Sequence, residues 1–215
     1  MKQNTSHAVM AQRYEAKTSL DNFPTPPWAT RALLEQVLGT EKLETQTCIE
    51  PACGAGHMSK VLKEYFKKVI SADVYDYGYG FVQNFLSAPK GIEPIDWLIT
   101  NPPFNLAEEF IRKGLAETSR GVAVLTRTVF LESIGRYERL FEKQPPNIVA
   151  QFSERVPMVK GRLNPKASTA TGYCWLVWHS KEQVKNTNLV WIKPCRKSLE
   201  RPSDYFETLS SEVET

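Results

Sequence analysis

Cysteine is scarce and unpaired in this chain: four residues in 215 (Cys48, Cys53, Cys174 and Cys195), with no Cys-x-x-Cys spacing among them. That pattern lacks the spacing of a zinc site and gives no disulfide framework, so the four are read as reduced thiols and no metal is expected. Long apolar runs are missing as well. The opening Met1-Lys2-Gln3-Asn4-Thr5-Ser6-His7 lacks the apolar core of a secretory signal, and nothing later approaches the run of about 20 apolar residues that spanning a bilayer requires. No membrane partner is expected, and the reading is a cytoplasmic protein. There is no internal repeat and no low-complexity tract. What is present is 41% hydrophobic residues, enough for one well-buried α/β domain and too little for a second full one.

Charge is modest in sum and uneven in place. The net charge is +3, yet residues 155–201 carry ten Lys/Arg against two acids, so the remainder of the chain is acidic. A basic segment on an otherwise acidic protein suits a polyanion, because phosphate attraction supplies most non-specific affinity for nucleic acids; a solvated lysine-rich face is the plainer alternative.

Along the chain, residues 1–20 read as a polar arm. Asp21-Asn22-Phe23-Pro24-Thr25-Pro26-Pro27 is too proline-rich for a helix interior or a central strand, and apolar residues then recur at helical spacing over 28–38, with Gly39 as the stop. Strands are expected over 47–50, 68–72, 96–100, 121–126, 148–152 and 173–178. Helices are expected over 58–67, 106–117 and 133–143. This alternation calls for a doubly wound α/β fold with a mostly parallel sheet, whose ligands bind in the loops beyond the carboxyl ends of the strands. The domain is expected to span 21–180, followed by a basic then acidic extension over 181–215 that lacks structure from residue 198 onward. Trp175 and Trp178 stand three apart on one strand, so they should face opposite sides of the sheet and cover it.

Three loops carry chemistry. After the first strand comes Glu50-Pro51-Ala52-Cys53-Gly54-Ala55-Gly56-His57. Two glycines two apart let backbone approach a ligand closely, although an ordinary tight turn accounts for them equally well. No Gly-Lys-Ser/Thr follows, so this is not a phosphate loop of the Walker type. Asp73 ends the next strand roughly 20 residues past the glycine turn, the offset at which an acid accepts hydrogen bonds from ribose hydroxyls. Asp76 is a nearby rival. The third loop is the most specific: the strand over 96–100 runs straight into Asn101-Pro102-Pro103-Phe104. Proline fixes φ and holds the preceding residue out of the helical region, so Asn101 and Pro102 present carbonyl acceptors in set directions. Such acceptors suit an amino nitrogen whose lone pair is delocalised into a ring, because hydrogen bonds from its N–H groups favour a pyramidal nucleophile. Phe104 would stack on an extruded base. His57, at a helix start, is read as an exposed surface residue.

The order Phe23-Pro24-Thr25-Pro26, then Glu50 to Gly56, then Asn101 to Phe104 resembles the DNA adenine-N6 methyltransferases, the amino-methyltransferases with an Asn-Pro-Pro-Phe motif. The resemblance covers most of residues 21–180, and small phage and prophage members have this layout. It implies a Rossmann-like class I methyltransferase fold with a seven-stranded sheet and S-adenosylmethionine as cofactor. It further implies that Phe23, Thr25 and Pro26 touch the methionine end of the cofactor. Glu50, Pro51, Cys53, Gly54 and Gly56 would wrap that moiety, Asp73 would bind the ribose, and Asn84 with Phe85 would meet the adenine. Asn101, Pro102, Pro103 and Phe104 would form the catalytic loop. Many relatives carry a large target-recognition domain, whereas here only the segment over 179–215 follows the last expected strand; on that reading the basic connection bearing Arg155, Lys160, Arg162 and Lys166 would take the phosphates of nucleic acid, with duplex DNA the expected partner. RNA adenine methylation, methylation of a protein glutamine amide, and a non-enzymatic nucleic-acid-binding module are the alternatives. The glutamine enzymes usually carry tyrosine where Phe104 stands.

Overall fold

Uninterrupted apolar runs make the central strands of this protein, and amphipathic segments between them make its covering helices. The computed structural model describes residues 21–205 apart from 90, 92, 181 and 183. The arm over 1–20 and the end of the extension over 206–215 lie outside the described residues. In chain order the elements are α1 (Pro27–Leu33), β1 (Thr47–Glu50), α2 (His57–Leu62), β2 (Lys68–Asp73), β3 (Phe81–Val82), β4 (Ile95–Thr100), α3 (Ala107–Glu117) and β5 (Thr118–Arg127). They continue with α4 (Ile134–Arg136), β6 (Ile148–Phe152), β7 (Tyr173–His179), β8 (Asn188–Ile192) and α5 (Arg196–Leu199). The strands form one sheet in the order β3-β2-β1-β4-β5-β7-β6-β8. All neighbours are parallel except β7, which runs antiparallel to both β5 and β6.

The sheet has eight strands, not the expected seven. The additional one, β8, buries Ile192 while Leu189 and Trp191 remain exposed. It is an edge strand inside a basic segment, so its alternation gives little signal. β3 is only two residues long, and both are exposed. The central strands behave as their sequences demand: Leu98 and Ile99 of β4, Val122 to Leu125 of β5 and Trp175 to Val177 of β7 are fully buried, as strands covered on both faces must be. Trp175 belongs to one core cluster and Trp178 to the other, on opposite faces of the sheet.

Two expected helices end early in wide π-helical turns, over Leu34–Leu38 and Tyr137–Phe141. The helix expected over 58–67 runs His57–Leu62. On one face of the sheet, α1 is pinned by a bond from Trp175 Nε1 to the Ala29 carbonyl (3.1 Å) and by the edge contact of Trp28 on Phe152. Arg31 of α1 is buried, and its guanidinium donates to Glu64, to Asp204 and to the Leu199 carbonyl. The segment expected to lack structure from residue 198 is therefore packed as far as Tyr205, itself buried. A charge reading of the sequence misses this because Arg31 and Asp204 stand 173 positions apart.

Candidate cofactor cleft and catalytic loop

The parallel strands β1, β2 and β4 end side by side, and their loops make a cleft. Gly54 and Gly56 have φ of 50° and 82°, the left-handed region that glycine enters without a Cβ penalty. A Cβ on Gly56 would collide with the Tyr79 ring. The Gly54 amide donates to Asp73 Oδ2 (2.8 Å) and the Tyr75 amide to Asp73 Oδ1 (3.1 Å), so one carboxylate fastens the glycine loop to the end of β2. A carboxylate has about four lone-pair sites, which leaves acceptor capacity on Asp73 for further donors. Asp76, the rival acid, accepts from the Gly78 amide (2.8 Å) and lies outside the cleft lining.

Glu50, at the end of β1, is buried and accepts from the Ser59 hydroxyl, which in turn pairs with Ser71 (2.6 Å). Burial pushes the Glu50 carboxyl well above the usual carboxylate range; the Ser59 bond opposes this and the charge of Asp73 adds to it. Burial, with Glu50 and Asp73 nearby, pushes the Cys53 thiol up to about 12, so it is no nucleophile near neutral pH.

The loop Asn101 to Phe104 is held by the segment before α1. Asn101 Nδ2 donates to the Phe23 carbonyl (2.8 Å) and lies 3.8 Å from the Met158 sulfur. The Phe104 amide donates to Asp21 Oδ2 (2.8 Å), and the Pro103 carbonyl accepts from Leu106 (2.9 Å). With its amide nitrogen committed, Asn101 is left with Oδ1, buried and without a hydrogen-bond partner. Thr25 Oγ1 is a second buried polar atom with no partner, and Thr25 also lines the cleft. A buried acceptor or hydroxyl left unpaired carries a desolvation cost that a ligand can relieve. The Phe104 ring lies near Phe23 (6.0 Å between centroids) and Tyr173 (6.5 Å), and the Arg127 guanidinium sits over it at 4.4 Å.

Of the residues singled out from sequence, Phe23, Thr25, Glu50, Pro51, Cys53, Gly54, Asp73, Asn84, Phe85, Asn101 and Pro103 line this cleft. Pro26, Gly56, Pro102 and Phe104 do not. Pro26 caps α1, Pro102 is buried and Gly56 faces Tyr79, so their proline and glycine chemistry serves the backbone path. Asn84 Oδ1 accepts from the Leu86 amide (3.0 Å) in a local turn, and Phe85 packs on Phe110. The cleft also contains Asp21, Asn22 and Tyr77, which sequence reasoning did not single out. The polar pair directly before Phe23 was the available signal for the first two.

Arg155, Lys160, Arg162 and Lys166 are exposed on the connection between β6 and β7. That connection reaches the site: the Gly161 amide donates to the Asn22 carbonyl (2.8 Å), and Met158 touches Asn101. Among the described residues no group of three or more His, Cys, Asp or Glu is arranged to hold a metal, and no helix is long and apolar enough to cross a membrane.

No family model matches the sequence and no curated protein matches it. Solved structures do. A protein from Vibrio vulnificus described as a modification subunit of a type I restriction enzyme superposes with a TM-score of 0.61 at 14% identity, over 90% of this chain and 53% of that one. This chain thus spans about half the length of that subunit. A class I S-adenosylmethionine-dependent methyltransferase from Listeria monocytogenes gives 0.56 at 15% identity, over 96% of this chain and 75% of that one. An RNA methyltransferase from Pyrococcus horikoshii gives 0.58 at 16%, over 76% and 89%. What is shared at such identities is architecture: the chain has the Rossmann-like fold of class I methyltransferases, with β8 added beyond β6.

Proposed function

We propose that the protein is an S-adenosylmethionine-dependent methyltransferase acting on the exocyclic amino group of adenine in nucleic acid, with DNA the first substrate to test. The observation that carries this reading is Asn101 Oδ1, a buried acceptor with no partner on an amide whose nitrogen is already bound. A rotated amide would forfeit the bond to Phe23, so the nitrogen is held toward that carbonyl and the oxygen stays unpaired on a residue that lines the cleft. It is positioned to accept an N–H from a planar amino group and to hold its lone pair out of conjugation.

The residues present fit the cofactor. Thr25 offers an unpaired buried hydroxyl, the loop over 50–56 offers backbone free of bulky side chains, and Glu50 offers a carboxyl that a cationic ligand would ionise. When bound, S-adenosylmethionine supplies a methyl group activated on a sulfonium. The chain itself contributes positioning: Asn101 orients the amino group, Pro103 and Phe104 fix the loop, and the clamp from Asp21 to Thr25 joins that loop to the cofactor side. No strong base is required, because the amino proton becomes acidic once the nitrogen is alkylated. The basic connection bearing Arg155, Lys160, Arg162 and Lys166 favours a polyanion over a protein amide, and Phe104 in place of tyrosine agrees with that choice.

The test is methyl transfer from labelled S-adenosylmethionine to duplex DNA, single-stranded DNA and RNA in parallel, with nucleoside analysis of the products. N6-methyladenine in one of the three supports the reading and selects its substrate. Cofactor binding with no transfer to any nucleic acid refutes it.

A further inference from the structure

We propose that Arg127 is a substrate-binding residue whose guanidinium takes a backbone phosphate beside the nucleotide presented to Asn101; this rests on the nucleic-acid reading above. Strand register puts it there. Thr100 of β4 pairs with Val124 of β5, and β5 runs three residues further, so Arg127 stands beside the loop Asn101 to Phe104. Side-chain alternation from Ala123 and Leu125 directs Arg127 to the sheet face that carries Tyr173, Met158, Phe23 and Phe104. Its cross-strand partner is Tyr173, and the two flank the Phe104 ring.

Arg127 is exposed, and among the described residues no carboxylate lies within ion-pair distance of it. A guanidinium resting on a ring uses its face and leaves its edge N–H donors for another group, the fork that arginine offers to phosphate. Asp21, the acid on the same side of the site, is already engaged by the Phe104 amide. A cation at the rim and an amide acceptor in the pocket match the two ends of an extruded nucleotide, whose base enters while its backbone stays outside. The observed stacking would also couple the phosphate contact to the position of Phe104.

The test compares Arg127→Gln and Arg127→Lys with the native chain, using whichever nucleic acid the native chain methylates. Arg127→Gln is expected to weaken nucleic-acid binding roughly five- to tenfold. The slope of log affinity against log salt should fall by about 0.9 on duplex or 0.7 on a single strand, the signature of one lost phosphate. Cofactor affinity measured without nucleic acid should fall less than nucleic-acid affinity, and Arg127→Lys should recover much of the slope. A neutral methylphosphonate beside the target adenine should weaken the native chain and add nothing to Arg127→Gln. Native transfer with an unchanged slope and an equal methylphosphonate penalty in both proteins overturns this proposal alone and leaves Arg127 as a prop for Phe104. Absence of native transfer to every nucleic acid overturns the methyltransferase reading and this proposal with it.

Discussion

Asn101→Ala separates the two jobs given to one side chain. Removing Oδ1 deletes the acceptor for the target amino group, and losing one preorganised hydrogen bond at a buried reacting centre lowers turnover about 10²–10³-fold, or about 2.7–4 kcal/mol. Removing Nδ2 deletes the 2.8 Å bond to the Phe23 carbonyl. That is a neutral hydrogen bond with a net value of about 1 kcal/mol, so cofactor affinity should fall only about fivefold through the loosened clamp. The disparity is the diagnostic. Asn101→Asp keeps an oxygen facing the site but sets another against the Phe23 carbonyl, so it should damage cofactor binding more than alanine does. Single-turnover transfer and calorimetric titration of cofactor on the three proteins measure both quantities. Turnover of the alanine variant within tenfold of native, or equal losses in turnover and affinity, would refute the assignment.

Other substitutions probe the surroundings. Thr25→Val replaces a buried hydroxyl that has no partner with an isostere, so the melting temperature should hold or rise while cofactor affinity drops about tenfold by calorimetry. The Glu50 carboxyl titrates higher in the folded chain than in the unfolded one, so the folded chain keeps the extra proton and loses stability as pH rises above the ordinary value of 4.5. Glu50→Gln should therefore raise the melting temperature of the cofactor-free protein more at pH 8 than at pH 5, and an equal gain at both would count against the burial argument. Asp204→Asn removes one of two carboxylates from the buried Arg31, whose side chain is 2% exposed. With Glu64 still in place, a loss of about 2–3 kcal/mol is expected. For a domain of this size that corresponds to a melting temperature lower by roughly 5–10 °C in scanning calorimetry.

How much of this was legible in the sequence follows from how local each feature is. The six strands with continuous apolar runs and the glycine and proline loops are local patterns, and they stand where the periodicity placed them. β3 is too short to have a period, and β8 shows one face to solvent. The wide turns ending the first and fourth helices depend on packing against the sheet. At the site, the residue types were readable but their attachments were not. Asn101 meets Phe23 across 78 positions and Phe104 meets Asp21 across 83, pairings that no spacing rule anticipates. Gly56 was read as room for a ligand and proves to be room for Tyr79. Arg127 passes unnoticed in a sequence because an arginine ending a strand is ordinary until its register beside β4 is known.

The segment from Asp21 to Thr25 belongs to both halves of the candidate site: Asp21 and Phe23 tie down the loop Asn101 to Phe104, while Phe23 and Thr25 wall the cleft. Whatever orders one half relieves the other of part of its ordering cost. If the cleft takes the cofactor and the loop takes nucleic acid, as proposed, thermodynamic linkage makes the effect mutual: the factor by which cofactor tightens nucleic-acid binding must equal the factor by which nucleic acid tightens cofactor binding. Two connecting hydrogen bonds, about 1 kcal/mol for the neutral bond from Asn101 to the Phe23 carbonyl and about 1.5–3 kcal/mol for the bond from the Phe104 amide to the Asp21 carboxylate, limit that factor to roughly 10²–10³. On the proposed function, product release would inherit the same coupling: once the methyl group had moved, loss of either product would weaken the hold on the other.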